Sequence, residues 1–588
     1  MTNRLLLLFV CAAALASGQP APVGNDPLLQ AMRDELDRAR SLRLVSLETP
    51  YYIEYSIHDA ENVQVTASLG ALVDARRGRF RLPKVQVRVG DYNFDNGNYI
   101  YSDASSGSGY NLGSFPLDDN LEALRHYFWL ATDSAYKSAL EVIARKRAAL
   151  KNVTVTDQGP DFSKAGATSL VVATPRQAVD EEPWKSRLRS LSALFSSHPQ
   201  IISSGLEFMV TQGAFYLVNS EGAQVRVPER AARLHARASA LAPDGMLLYD
   251  SVSFHSLEIA NLAPEAEMRR GVESVAENVE SLIRAPLGEP YTGPVMFEPQ
   301  AAAQLLADLL GRNLGLRRRP VVEPGRTIPF QESELDGRLG SRILPEWLDI
   351  VDDPTQAQWG GRPLFGHYLA DMEGIPPQPL PIVEKGILKN LLMTRQPAKG
   401  LQGSNGRARL RGNFAANAAA SGNLFVRASE SCSLVDLKKR LMDLCRQRGK
   451  PYGLLVRKMD FPSSAPMAAV RRLIESMAQD GGGGRPVSVP ILAYRVYSDG
   501  REELVRGLRF KGLSTRSLRD IVAAGGEPVV FDYLENGAPF AVMGAASFVA
   551  ESSIIAPGVL FEELQLERSE QELPKLPIVA PPPLIAVR

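Results

Sequence analysis

The chain is short of the residues that most enzymes and binding proteins advertise. Its 588 residues hold 3 cysteines and 6 histidines, and 66 basic side chains balance 66 acidic ones. Zero net charge argues against nucleic acid or an anionic membrane as partner, since either calls for a basic face. Arg317-Arg318-Arg319 is basic only locally, and before a proline it reads as a solvated loop. Once an N-terminal leader is set aside, Cys432 and Cys445 alone remain, too few for a disulfide framework. Ser433 with Asp436 forms a capping box, and Leu434, Leu437, Leu441 and Leu444 follow at helical spacing. A helix there holds the cysteines ~20 Å apart, far beyond the ~7 Å between Cα atoms that a disulfide tolerates. Both are expected to be buried thiols.

The histidines His58, His126, His198, His235, His255 and His367 are scattered, so neither HExxH nor a helical histidine pair exists. GxSxG and GxxxxGK[ST] are also missing, and no GxGxxG follows a strand, which removes the nucleophile elbow and nucleotide binding. Ser105-Ser106-Gly107-Ser108-Gly109 reads as a loop.

Long apolar runs are missing as well, with one short exception. Met1–Arg4 is cationic, Leu5–Leu15 is apolar, and Ala16-Ser17-Gly18 supplies small residues for cleavage. A bilayer span needs ~20 residues, so residues 1–18 read as a secretory signal peptide. The protein is expected to be exported, periplasmic or extracellular, with no membrane span after cleavage.

The remainder predicts an α+β protein. Asn25-Asp26-Pro27 opens a helix, and short strands Tyr51–Ile57, Val63–Val73 and Val85–Val89 follow, separated by the polar stretches His58–Asn62 and Asp74–Arg79. Leu117–Leu150 is helical, as two helices or one broken one. A hairpin turning at Asn219–Gly222 and a strand over Met246–Leu257 precede helices at Pro264–Leu282 and Pro299–Asn313, the latter after a strand at Tyr291–Phe297. A helix near 466–479 and a Gly481–Gly484 loop come before a hairpin around Ser498-Asp499-Gly500, whose strands cover about 488–497 and 502–510. The expected division is a leader 1–18, an α+β region 19–200 with an antiparallel sheet, and a hairpin-and-helix region 201–288. A mostly-β, barrel-like domain with inserted helices follows at 289–570, then a proline-rich tail 571–588.

Two segments invite chemistry. In Gly403-Ser404-Asn405-Gly406-Arg407-Ala408-Arg409-Leu410-Arg411-Gly412-Asn413, glycines permit close backbone approach and arginines offer donors to carboxylates or peptide carbonyls. The bland alternative is a solvated basic loop. Asp371 and Glu373 sit in Asp371-Met372-Glu373-Gly374-Ile375-Pro376, where paired carboxylates can bind metal, act as acid and base, or merely cap a turn.

From about residue 264 the order of segments resembles the TldD/PmbA family, described as modulators of DNA gyrase and grouped with metallopeptidases. The carrying segments are Ser281–Pro286, Gly293–Phe297 and the Ala-Leu-rich helix, then Gly340–Ile343, Val351–Pro354, Asp371–Pro376 and Ile382–Leu392. The Gly403–Gly412 loop, Val505–Leu508 and Ile555–Pro557 complete the series, and Asn219–Gly222 looks like the family's middle hairpin. The resemblance implies a zinc peptidase fold in which an HExxxH helix and a late cysteine hold the metal. Here the motif helix reads Ala307-Asp308-Leu309-Leu310-Gly311-Arg312, and no cysteine follows Cys445. Alanine has no lone pair and arginine stays protonated, so the chain resembles the PmbA-like, zinc-free half, and no cofactor is expected. The implied function is a non-catalytic subunit that binds extended peptide and pairs with itself or with a zinc-bearing TldD-like peptidase. An active hydrolase built on Asp371 and Glu373, or an envelope scaffold protein, are the alternatives.

Overall fold

The computed structural model describes residues 26–41, 47–101, 108–109, 115–151, 159–174, 178–326, 328, 330, 332–411, 416–463, 487–536 and 549–569. The expected leader 1–18, most of the 105–109 loop, the helix 466–479, the loop 481–484 and the tail 571–588 lie outside these residues.

Helix α1 (Pro27–Ala39) begins where the Asp26 side chain accepts the Leu29 N–H at 3.1 Å, with Pro27 in the first turn. The next two strands, β1 (Pro50–Ser68) and β2 (Ala71–Val89), run far longer than expected. The turn falls at Leu69-Gly70, both with positive φ (49° and 84°), as a two-residue hairpin loop needs. His58–Asn62 and Asp74–Arg79 therefore lie inside strands. They stay there because their charges pair across the hairpin: Asp59 takes Arg79 and Arg81, each at 3.2 Å, and Glu61 takes Arg77 at 2.8 Å.

Helices α2 (Leu121–Leu150) and α3 (Glu182–Ser192) lead to β3 (Ser203–Asn219), β4 (Gln224–Leu241), β5 (Leu247–Ser256) and α4 (Glu265–Arg284). The strands order β2–β1–β3–β4–β5, all antiparallel, so residues 201–288 extend the sheet that β1 and β2 begin. The β3–β4 turn is the one expected: Asn219 Oδ1 accepts the Glu221 and Ala223 N–H groups, and Gly222 has φ 98°.

Strand alternation gives this sheet two distinct faces. On one, Ile53, Tyr55, Ile57, Val87 and Tyr216 pack beneath α1 and α2. Further along the same face, Val63, Val65, Phe208, Leu234 and Ala236 pack beneath α3 and α4. The other face presents Glu54, His58, Glu229, Arg233 and His235, interrupted by Phe215, Leu217, Val225 and Val227. That apolar middle is covered by Leu369, Ala370 and Met372 from the C-terminal half.

The C-terminal half runs β6 (Tyr291–Phe297), α5 (Pro299–Asn313), β7 (Leu348–Asp352), β8 (Leu380–Glu384), β9 (Asn423–Ala428) and α6 (Leu434–Gln447). It continues through β10 (Tyr452–Met459), β11 (Pro490–Tyr497), β12 (Glu502–Val505), β13 (Leu508–Lys511), β14 (Ile521–Asn536) and β15 (Val549–Arg568). The sheet order is Ile387-Leu388, β8, β7, β9, β15, β6, β10, β11, β12, with β13 and β14 also on β15. Among the described residues the expected barrel-like closure does not occur. The long strand β15 serves as a seam for β6, β9, β13 and β14; among the described residues β12 pairs only with β11, whereas Ile387-Leu388 at the other end is bridged by Gly340–Arg342. The turn at Asp499-Gly500 joins β11 to β12 as expected, but residues 508–511 pair with β15 instead. Helix α6 opens with Ser433 Oγ accepting the Asp436 N–H at 3.0 Å, and both cysteines are free thiols. Helix α5 is buried on nearly every side against β10, β14 and β15.

Gly213 marks how closely β1 and β3 approach: a Cβ there would lie 2.1 Å from the Asp59 carbonyl oxygen. Gly213→Ala should separate the strands and lower unfolding stability by about 1–3 kcal/mol, read as a reduced midpoint in urea melts.

Candidate functional site

The polar face of the N-terminal sheet, where the C-terminal half lies against it, gathers the molecule's buried charge. The acidic turn sits at one end. Asp371 Oδ1 accepts the N–H groups of Glu373 and Ile375, each at 2.9 Å, and its Oδ2 accepts that of Ala408 at 3.0 Å. Glu373 accepts the Arg395 N–H at 2.7 Å and the Asn417 side-chain amide at 3.2 Å. The structure thus brings the two carboxylates together, as the sequence suggested, but both are buried in the interior. Their hydrogen bonds fold the loop onto the sheet.

Opposite them on β1, Glu54 receives the Tyr52 hydroxyl at 2.6 Å and lies 4.0 Å from Lys84 Nζ. Arg395 is fully buried between the halves, giving hydrogen bonds to the Ser163 carbonyl and Tyr52 hydroxyl and a 2.7 Å ion pair to Glu221. Its guanidinium stacks on Phe162 at 4.1 Å. Burial raises the Glu373 carboxyl, and burial together with the charge of Glu373 raises Asp371 to about 8.

The glycine-arginine loop is used differently from expectation. Asn405 is stapled to the neighbouring segment, accepting the Met393 N–H at 2.9 Å and donating to the Leu391 carbonyl at 2.8 Å. Ser404 Oγ accepts the Gly406 N–H at 3.1 Å, and Gly403 and Gly406 take positive φ of 86° and 74°. Arg407 is fully buried, bonded to Asp352 at 2.8 Å and to the Gln378 carbonyl at 2.6 Å. Arg409 donates to the Ser421 carbonyl at 3.0 Å and to Glu551 at 3.1 Å, and stacks on Tyr368 at 4.3 Å. These guanidinium groups are engaged within the chain rather than offered to a peptide. A buried carboxylate such as Asp352 demands a fixed cation, a need that sequence cannot show. Gly412 and Asn413 lie outside the described residues.

Beyond Arg409 comes a group that sequence reasoning missed. His58 on β1 and Glu229 on β4 pair at 3.0 Å, and Glu551 of β15 stands close enough for Glu229 to help burial raise its carboxyl. These residues are separated by hundreds of positions, and only the strand register unites them.

The motif helix is α5. Ala307 is fully buried in the apolar core. Asp308 pairs with Arg312 at 2.5 Å and accepts the Ser488 N–H at 2.8 Å. A Cβ on Gly311 would meet a Glu535 carboxylate oxygen at 2.3 Å. A methyl group, an ion-paired aspartate and an arginine do not fit zinc. Among the described residues no group of three or more His, Cys, Asp or Glu side chains is placed to hold a metal.

Residues 290–459 match the PmbA/TldA metallopeptidase C-terminal domain. Two curated relatives are described as metalloproteases. One, from Archaeoglobus fulgidus, is 41% identical over 78 residues, covering 13% of this chain and 17% of the relative. The other, from Methanothermobacter thermautotrophicus, is 24% identical over 201 residues, covering 34% and 40%. The chain thus spans well under half the length of either relative. Among solved structures, TldE from Thermococcus kodakarensis superposes with TM-score 0.55 at 13% identity, covering 91% of this chain and 100% of that one. A proposed modulator of DNA gyrase from Thermotoga maritima gives TM-score 0.54 at 15% identity, covering 88% and 96%. At such identities these two establish the fold. Fold and domain match define a metallopeptidase-like protein. Residues 290–459 thus match a domain of the TldD/PmbA family, and the chain as a whole shares its fold with TldE.

Two measurements probe the buried charges. Arg407→Met strands Asp352 and should cost about 3–5 kcal/mol, with the double variant Asp352→Asn/Arg407→Met recovering part of it in denaturant melts. Asp371 and Glu373 have folded-state pKa values raised above their unfolded ones. Their contribution to stability is therefore full below ordinary carboxylate pKa values and is lost as pH rises through about 8. Thermal midpoints should fall between pH 5 and 9, and Glu373→Gln should flatten that slope.

Proposed function

We propose that this is an exported, non-catalytic member of the TldD/PmbA family that binds extended peptide and pairs with itself or with a zinc-bearing TldD-like subunit. The observation that carries the proposal is the chemistry of α5, where Ala307, the Asp308–Arg312 ion pair and Gly311 against Glu535 stand in the motif positions. A water-activating zinc needs protein lone pairs and an open coordination position, and this helix turn supplies neither. Export rests on the signal-like pattern of residues 1–18. Peptide binding by strand addition is supported by β12, which among the described residues pairs only with β11, because a strand edge offers main-chain donors and acceptors without demanding a particular sequence. Described helices include none long and apolar enough to cross a membrane.

The test is metal content on the purified mature chain, with casein hydrolysis measured on the same sample with and without chelator. Little bound zinc and no chelator-sensitive cleavage are expected, with cleavage appearing only when an HExxxH-bearing relative is added. One zinc per chain with chelator-sensitive cleavage by this chain alone would overturn the proposal.

A further inference from the structure

The β1–β2 hairpin ends the N-terminal sheet, and the outer edge of its second strand is open. Strand β2 pairs with β1 along its inner side, while on its outer side Ser108-Gly109 takes only Val85 and Gln86. Among the described residues, the outer side of Ala71–Phe80 makes no main-chain hydrogen bond. Nor is this stretch packed away. Ala71, Ala75, Arg76, Arg77 and Gly78 are exposed, and Val73 is 67% exposed. The segment Val179–Glu181 meets the Arg77 side chain, through the Val179 carbonyl and the Glu181 carboxylate, but forms no strand pairing with β2.

Edge strands are usually protected by unmatched charge, by proline or by a cover. Here each arginine of the stretch is neutralised within its own chain: Arg76 by Asp74 at 2.6 Å, Arg77 by Glu61 and Glu181, both at 2.8 Å, and Arg79 by Asp59 at 3.2 Å. Proline does not enter the strand until Pro83. Apolar side chains stand in solvent at the hairpin tip. Leu69 is exposed at a left-handed φ of 49°, a conformation that costs a leucine. Ile202 is exposed at the same end, where β3 runs back along β1 and the Ser68 hydroxyl donates to the Ser204 carbonyl at 2.9 Å.

We propose that this edge pairs with the same edge of a second copy of the chain, as antiparallel strands about a two-fold axis through Ala75. The inference rests on the pairing part of the reading above, and commits it to a like subunit and to one surface. A two-fold axis requires a self-complementary patch. With Ala75 opposite its counterpart, Asp74 of each copy faces Arg76 of the other, so opposite charges meet twice across the new strand pair. Moving the axis to Asp74 or to Arg76 would instead set like charges against each other. The charge pattern therefore selects one register, and the free main-chain groups of Ala71–Phe80 supply the hydrogen bonds.

The test is sedimentation velocity on the full mature chain across the micromolar range, where a dimer is expected. Ala75→Lys places two cations face to face on the axis and should weaken the dimer by about 10-fold or more. Its circular dichroism spectrum should be unchanged, since the side chain is exposed. Asp74→Arg should weaken the dimer as well, and the exchange Asp74→Arg/Arg76→Asp should restore it. A chain that stays monomeric would overturn this inference and self-pairing together. A dimer that Ala75→Lys leaves intact would overturn the location while self-pairing stands. A dimer that Asp74→Arg does not weaken, or that the exchange does not restore, would overturn the Ala75 register.

Discussion

Everything in this molecule depends on a sheet covered on both faces, one covering apolar and the other polar. The first face is ordinary: alternate residues of β1, β3 and β4 lie under four helices. The second must bury Glu54, Lys84 and His58, with Glu229 half-buried beside them, against another part of the same chain. Buried charge is tolerable only when each group meets a partner in fixed geometry. The C-terminal half therefore arrives with matched groups, Arg395 for Glu221 and Asn417 for Lys84 and Glu373. A register slip of one residue would exchange the faces and leave every one of these groups unmatched.

The same demand explains the texture of the loops between β7 and β9. They are rich in glycine, proline and acidic residues because the chain must turn sharply while pointing N–H groups inward. Gly374 takes a positive φ of 75° where it passes over Leu217 and Val225, and Gly406 one of 74° where it presses on the Pro376 carbonyl. Arg407, read from sequence as a surface donor, is the countercharge that lets Asp352 lie inside and cap the Gly422 N–H at 2.9 Å.

What could be read in the sequence follows from range. Local signals were legible: Asp26-Pro27, the Ser433 cap, Asn219–Gly222 and Asp499-Gly500 each define their element through neighbours a few residues away. The strands β1 and β2 were broken too early, because Asp59, Glu61 and Arg77–Arg81 look like loop residues until the hairpin pairs them. The barrel expectation failed because which strands β15 joins is a matter of long-range pairing. Of the candidate site, the acidic pair was visible as a motif, but its burial was not. The His58–Glu229–Glu551 group and the His235–His255 face left no local trace.

The two ends of the polar face differ in what they leave available. At the acidic end Asp371, Glu373 and Glu54 are enclosed, and their surroundings raise the carboxyls of Asp371 and Glu373, so that end joins the halves. At the other end His235 and His255 are half-buried and Arg237 is exposed, while Lys458 ties the β5 edge to the C-terminal half through Asp250 and the Ser251 carbonyl. That asymmetry does not require the α5 helix to carry metal: gripping a chain and cutting it are separable tasks on this scaffold.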